Sequence, residues 1–122
     1  MKQTSQDPDA LLPLTPAVFH ILLALAGGER HGYAIMSEVK QRSEGKVTMG
    51  PGTLYGSIKR MLKDGLIEEA GERSDPVLDS ERRRYYRLTD FGLRVTRAEA
   101  RRLESLVRAA QARHLLAPEG GV

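Results

Sequence analysis

Chemistry has few places to reside in this chain. Its imidazoles are His20, His31 and His114, no two within one helical turn, and cysteine is absent. That excludes a disulfide scaffold, a Cys-ligated zinc site and a thiol nucleophile. His31 with the nearby carboxylate of Glu29 is the pair closest to a general base. No nucleophile, metal cluster or phosphate loop accompanies it, so the expectation is a non-enzymatic chain without metal or cofactor. His20 lies in an apolar run and reads as a core-edge residue before it reads as a ligand. The side chains that do cluster are cationic: Lys59, Arg60 and Lys63 at helical spacing, and Arg82, Arg83 and Arg84 in a row. Ammonium and guanidinium groups gathered this way neutralise phosphates.

Charge placement supports that chemistry. The 122 residues carry a formal charge of +3, but the signs are segregated. Residues 29–63 hold seven basic and three acidic groups, residues 64–81 one basic and seven acidic, and residues 82–122 ten basic and four acidic. Two basic zones flank an acidic one, a pattern suited to a phosphate-reading surface, against the plainer reading of solvated helix faces. Length and composition match one ordinary globular domain. The apolar run Leu11 to Ala26 is interrupted by Pro13, Thr15, Pro16 and His20 and is too short to span a bilayer. Its Ala24-Leu25-Ala26 imitates a cleavage site, but Asp7 and Asp9 precede it against a single Lys2, the wrong charge for a secretory leader. No membrane association and a cytoplasmic location are expected.

Several elements must position these groups. Residues 1–13 read as a flexible arm. Thr15-Pro16 caps a first helix that ends at Gly27-Gly28. A second helix runs from about Tyr33 to Arg42. A third begins at Pro51 or Thr53 and stops at Gly65, with Leu54, Ile58, Met61 and Leu62 as its apolar stripe. Residues 66–70 and 83–88 read as two short strands joined by a polar loop from Gly71 to Arg82. Thr89-Asp90 then caps a long helix to about Leu116, and residues 117–122 form a flexible tail. The fold class is mainly α with a small β-hairpin: a winged helix-turn-helix over 14–88 plus a long C-terminal helix over 89–116.

In that plan the third helix enters the DNA major groove and the hairpin touches the backbone beside it. With its apolar stripe turned inward, the third helix presents Gly52, Thr53, Gly56, Lys59, Arg60 and Lys63, with Tyr55 on the flank. From Pro51 its first-turn amides offer a phosphate site. Gly56 inside a helix costs about 1 kcal/mol relative to Ala, which implies close backbone approach, either by DNA or by a neighbouring helix. Alternation in the second strand sends Arg84 and Tyr86 to one face and Arg83, Tyr85 and Arg87 to the other. The acidic loop with Asp75, Asp79 and Glu81 would be repelled by DNA, so the base of the wing, not its tip, is expected to bind.

Taken together, Leu14-Thr15-Pro16 through His31-Gly32-Tyr33, Pro51-Gly52-Thr53-Leu54-Tyr55, Lys59-Arg60-Met61-Leu62, Gly65-Leu66-Ile67, and Arg84-Tyr85-Tyr86-Arg87-Leu88-Thr89 with Gly92 resemble the PadR family of bacterial transcription regulators. The resemblance covers about residues 11–113. It implies a winged-helix homodimer that binds a palindromic operator, usually as a repressor, with many members answering to small aromatic or drug-like effectors. It also implies that Tyr33 opens the second helix and touches DNA backbone, and that Thr53, Tyr55 and Lys59 lie on the recognition helix. Two departures stand out. Gly50 occupies a position where the family often has a small hydroxyl cap, and the single C-terminal helix places the chain with the short subgroup. The absence of Trp removes the usual stacking partner for an aromatic drug.

Dimerisation is expected independently. A helix from Thr89 to about Leu116 is on the order of 40 Å long, more than so small a core covers. Phe91 and Val95 can pack on the domain, whereas Leu103, Leu106, Val107 and Ala110 continue an apolar stripe beyond it. A second copy would cover that stripe, with Phe19, Leu22 and Leu23 of the first helix as the other wall; the alternative is a helix folded back on its own domain. An effector cavity would lie there, near Phe19 and His20. The rival functional class is a protein–protein adaptor working through the basic C-terminal helix.

Overall fold

The computed structural model describes residues 7–75 and 79–118, and the side chains of 79–81 lie outside that description. Helix α1, Pro16–Ala26, starts where the Thr15 hydroxyl accepts the Val18 amide at 3.2 Å and ends at Gly27. Strand β1, Arg30–His31, leads into α2, Gly32–Arg42, and then α3, Pro51–Lys63. Gly65 follows α3 in the left-handed conformation, φ +76°, which closes the helix as its sequence suggests. Strands β2, Ile67–Asp75, and β3, Asp79–Leu88, precede α4, Asp90–Ala112.

The sheet is antiparallel, in the order β1-β3-β2. Its inner face and the three short helices enclose Ile21, Leu22, Ile35, Val39, Leu54, Ile58, Met61, Ile67, Tyr86 and Val95. Helix α4 docks its first turns on this core. The Thr89 hydroxyl accepts the Gly92 amide at 2.9 Å and donates to the Gly65 carbonyl at 2.5 Å. Gly92 lies so close to the Leu66 backbone that a Cβ there would overlap the Leu66 carbonyl.

Five expectations change. The hairpin is a three-stranded sheet, because Arg30 and His31 pair with Tyr86 and Tyr85; two residues carry no periodicity to announce a strand. The polar loop over 71–82 is mostly strand, its ladder held despite the absence of an apolar face, with a bulge between Glu69 and Glu72. Residues 76–78 and the side chains of Asp79 and Glu81, hence most of the expected acidic tip, lie outside the description. The arm is anchored from Asp7 onward. A 3-10 turn at Pro8–Leu11 packs on α4, and the Leu14 amide donates to Glu99 Oε2 at 3.0 Å; residues 1–6 and 119–122 are outside the described residues. Helix α4 ends at Ala112, because His114 turns left-handed (φ +63°) and the Leu115 amide reaches back to the Ala110 carbonyl. Finally, Leu22, expected to face a partner, is fully enclosed in the core of its own chain.

Candidate nucleic-acid interface

Helix α3 separates cleanly into two faces. Leu54, Ile58 and Met61 are buried, while Pro51, Gly52, Thr53, Tyr55, Gly56, Lys59, Arg60 and Lys63 are exposed. A Cβ added at Gly52 or Gly56 would meet nothing within 4 Å. No neighbouring helix therefore accounts for Gly56, and its bare backbone is open to approach from outside. At the N-terminus, Gly50 supplies no side-chain cap, as its identity predicts, so the first-turn amides have no side-chain acceptor of their own.

Tyr55 sits at the edge of this face, 46% exposed. Its ring lies over Gly32 at the start of α2, where a Cβ would be 2.7 Å from Tyr55 Cζ. Tyr86 lies beneath the same corner. Burial, the largest influence, pushes its phenol above the usual tyrosine range, partly offset by Arg84, so it remains a neutral core group.

The wing brings separate predictions together. Tyr33, on the first turn of α2, is half-exposed, and the Arg83 guanidinium sits 5.5 Å over its ring. Tyr85 and Tyr86 are both buried even though alternation sends them to opposite faces. Tyr86 joins the core; Tyr85 is covered on the other side by the Arg73 guanidinium at 3.6 Å and by the edge of His31. Arg82 and Arg84 are exposed and face acidic groups across the ladder. Arg82 Nε lies 3.7 Å from the Glu72 carboxylate and Arg84 3.9 Å from that of Glu69. Exposed pairs of this kind contribute little stability and exchange readily for another anion.

Arg60 and Lys63 stand apart from the wing side. Arg60 borders a groove with Leu11, Pro13 and Val18, and Lys63 another with Asp7, Leu11 and Phe91, so both look toward the N-terminal segment. A groove of about 390 Å³ between α2 and residues 48–49, just before α3, was not anticipated. Tyr33, Ser37, Lys40 and Thr48 supply its polar lining. Tyr33, through the family resemblance, and Lys40, within the basic 29–63 zone, were its traces in the sequence. Among the expected partner-facing residues, Phe19, Leu23, Leu103 and Ala110 are half-buried, while Leu106 and Val107 are exposed.

The family profile described as the transcriptional regulator PadR-like family matches residues 21–98. The chain belongs to the PadR-like family. That family is one of transcriptional regulators. The transcriptional regulator Rv3488 of Mycobacterium tuberculosis is 34% identical over 89 residues, 73% of this chain and 77% of that protein. A further relative, an uncharacterized 37.1 kDa protein of transposon TN4556 from Streptomyces fradiae, is 35% identical over 86 residues. That match takes in 70% of this chain, which spans only 22% of the relative's length. Among solved structures, a PadR-like regulator from Bacillus cereus has a TM-score of 0.64 at 23% identity, covering 93% of this chain and 99% of that one. Bacillus subtilis PadR in complex with operator DNA has a TM-score of 0.59 at 23% identity, covering 70% and 47%. Among the described residues, no helix is long and apolar enough to cross a membrane.

Proposed function

We propose that this PadR-like chain binds double-stranded DNA at a palindromic operator as a homodimer and represses transcription there. The observation that carries this reading is the exposed face of α3, where two glycines with open backbone alternate with Thr53, Tyr55 and Lys59, and Arg60 and Lys63 stand exposed at its far edge for more distant phosphates. A groove-reading helix needs long donors for base edges and phosphates, and gaps where its backbone can come close. Tyr33, Arg82, Arg83 and Arg84 then meet flanking phosphates, while the first-turn amides from Pro51 onward offer one more phosphate contact. The functional units follow: 14–88 as the DNA-binding domain and 89–116 as the dimerisation segment.

The projecting part of α4 supports the homodimer over the adaptor reading. Leu106 and Val107 are 55% and 45% exposed on a stripe continuous with the half-buried Leu103 and Ala110, a surface that a second copy of the same helix would cover. Half-buried Phe19 and Leu23 of α1 form the adjoining wall. A small aromatic or drug-like effector would lodge there, beside Phe19 and His20, and release the operator.

The test is a gel-shift titration on the DNA upstream of the chain's own gene, with random duplex as competitor, at 50 and 200 mM salt. Neutralising about 6–10 phosphates implies an affinity loss of about 10³–10⁵ across that interval. A discrete, competitor-resistant shift with that slope supports the regulator. Only diffuse, competitor-sensitive binding would mean that the operator lies elsewhere or that the basic surface serves another partner, as in the adaptor reading.

A further inference from the structure

His31 has the type of a catalytic base and the surroundings of something else. It is 1% exposed. Its Nδ1 accepts the Ala34 amide in the first turn of α2 at 3.2 Å, which places the ring proton on Nε2. That N–H donates to Asp75 Oδ2 at 2.8 Å, on β2, 44 positions further along the chain. The ring also meets Tyr85 of β3 edge-on, centroids 5.2 Å apart at 87°. One buried side chain thus holds the start of α2 and both long strands of the wing. Two residues on, Tyr33 carries Arg83 of β3 over its ring.

We infer that His31 is a positioning residue for DNA binding: through Asp75 it sets the angle of the wing against α2, so that Tyr33 and the wing arginines meet one stretch of backbone together. This rests on the DNA-binding reading above. His31 itself is buried and touches no DNA. Its imidazole suits the task because it offers an acceptor for a helix N-terminus and a donor on the far side of a rigid ring. Asparagine would cap α2 equally well but is too short to reach Asp75. A hydrogen bond to a carboxylate is directional and costly to leave half-made, so the wing has one preferred seat.

Three variants test this: His31→Asn, which keeps the cap and loses the bridge; Asp75→Ala, which removes the acceptor; and Asp75→Asn, which keeps a carbonyl for the Nε2–H. Affinity is measured by fluorescence anisotropy on a duplex recovered from a random-sequence pool with the wild-type protein. His31→Asn and Asp75→Ala should each weaken binding roughly tenfold, the scale on which one buried contact couples two elements. The double variant should be no weaker than either single one, and Asp75→Asn should remain within about twofold of wild type. Binding to random duplex at low salt should weaken as well, since the contacts that lose their placement are to backbone, while its dependence on salt stays steep because every cationic side chain is kept. Wild-type affinity in both bridge-breaking variants, or losses that simply add, would overturn the inference. Nitrogen-15 spectra of the imidazoles decide the bridge without DNA. They should show His31 as the Nε2–H tautomer, with a slowly exchanging proton that Asp75→Ala frees; an Nδ1–H tautomer refutes the bridge. If the wild-type protein recovers no duplex, the DNA-binding reading fails, and the spectra still judge the bridge.

Discussion

At the scale of residues, the third helix is where identity and exposure agree most closely. Lys59 and Tyr55 both stand on the open face of α3, and replacing either with alanine should weaken operator binding by roughly 1–3 kcal/mol. Anisotropy titration checks the affinity, with sedimentation showing an unchanged oligomer. Tyr55 carries a second duty, because its ring lies over Gly32; part of its loss will reflect that corner, and Lys59→Ala is the cleaner probe. Gly92 poses a different question. A methyl group there would land on the Leu66 carbonyl, and backbone cannot turn aside as a flexible side chain can. Gly92→Ala should therefore destabilise the fold by about 1–3 kcal/mol, seen as a lower urea midpoint. An unchanged midpoint would mean that α4 shifts freely on the core.

At the scale of elements, a single carboxylate adds a polar tie to the packing of the N-terminal 3-10 turn on α4. Glu99 is buried on α4; it accepts a hydrogen bond from Arg102 Nε at 2.5 Å and one from the Leu14 amide at 3.0 Å. The Arg102 hydrogen bond, the largest influence, holds its pKa below the ordinary carboxylate range. Burial opposes that shift and the Leu14 amide reinforces it. A carboxyl whose folded pKa is depressed adds stability above its unfolded pKa, near 4.3, and loses it as pH falls toward the folded value. Urea midpoints measured from pH 7 to pH 3 should accordingly fall more steeply below about pH 4.5 in wild type than in Glu99→Gln. Parallel curves would remove Glu99 from the acid response.

At the scale of the whole molecule, α4 divides into a docked half and a projecting half. Phe91, Val95 and Glu99 are buried, whereas Leu106 and Val107 face outward. At about 1.5 Å per residue its 23 residues extend roughly 35 Å, long enough to carry the apolar stripe clear of the winged-helix body. Leu106→Asp should give monomers in sedimentation and, by separating two half-sites, should reduce operator affinity far more than affinity for random duplex. A dimer that persists would place the interface elsewhere.

The sequence by itself determined the elements whose signals are local. Thr15 and Thr89 cap their helices, Gly27 and Gly65 end theirs, and the spacing of Leu54, Ile58 and Met61 identifies the outward face of α3. Each is set by neighbours within a turn or two, so a linear reading suffices. The tertiary structure alone decided the rest. It turned Arg30 and His31 into a strand, seated Tyr85 beneath Arg73, tied Leu14 to Glu99 across 85 positions and His31 to Asp75 across 44, and enclosed Leu22 where a partner-facing residue was expected. Those contacts form only when distant segments are packed against one another. Local propensity and periodicity carry no record of which residue will stand opposite, so a buried imidazole that reads in sequence as a candidate base becomes, in the fold, a brace between a helix and a wing.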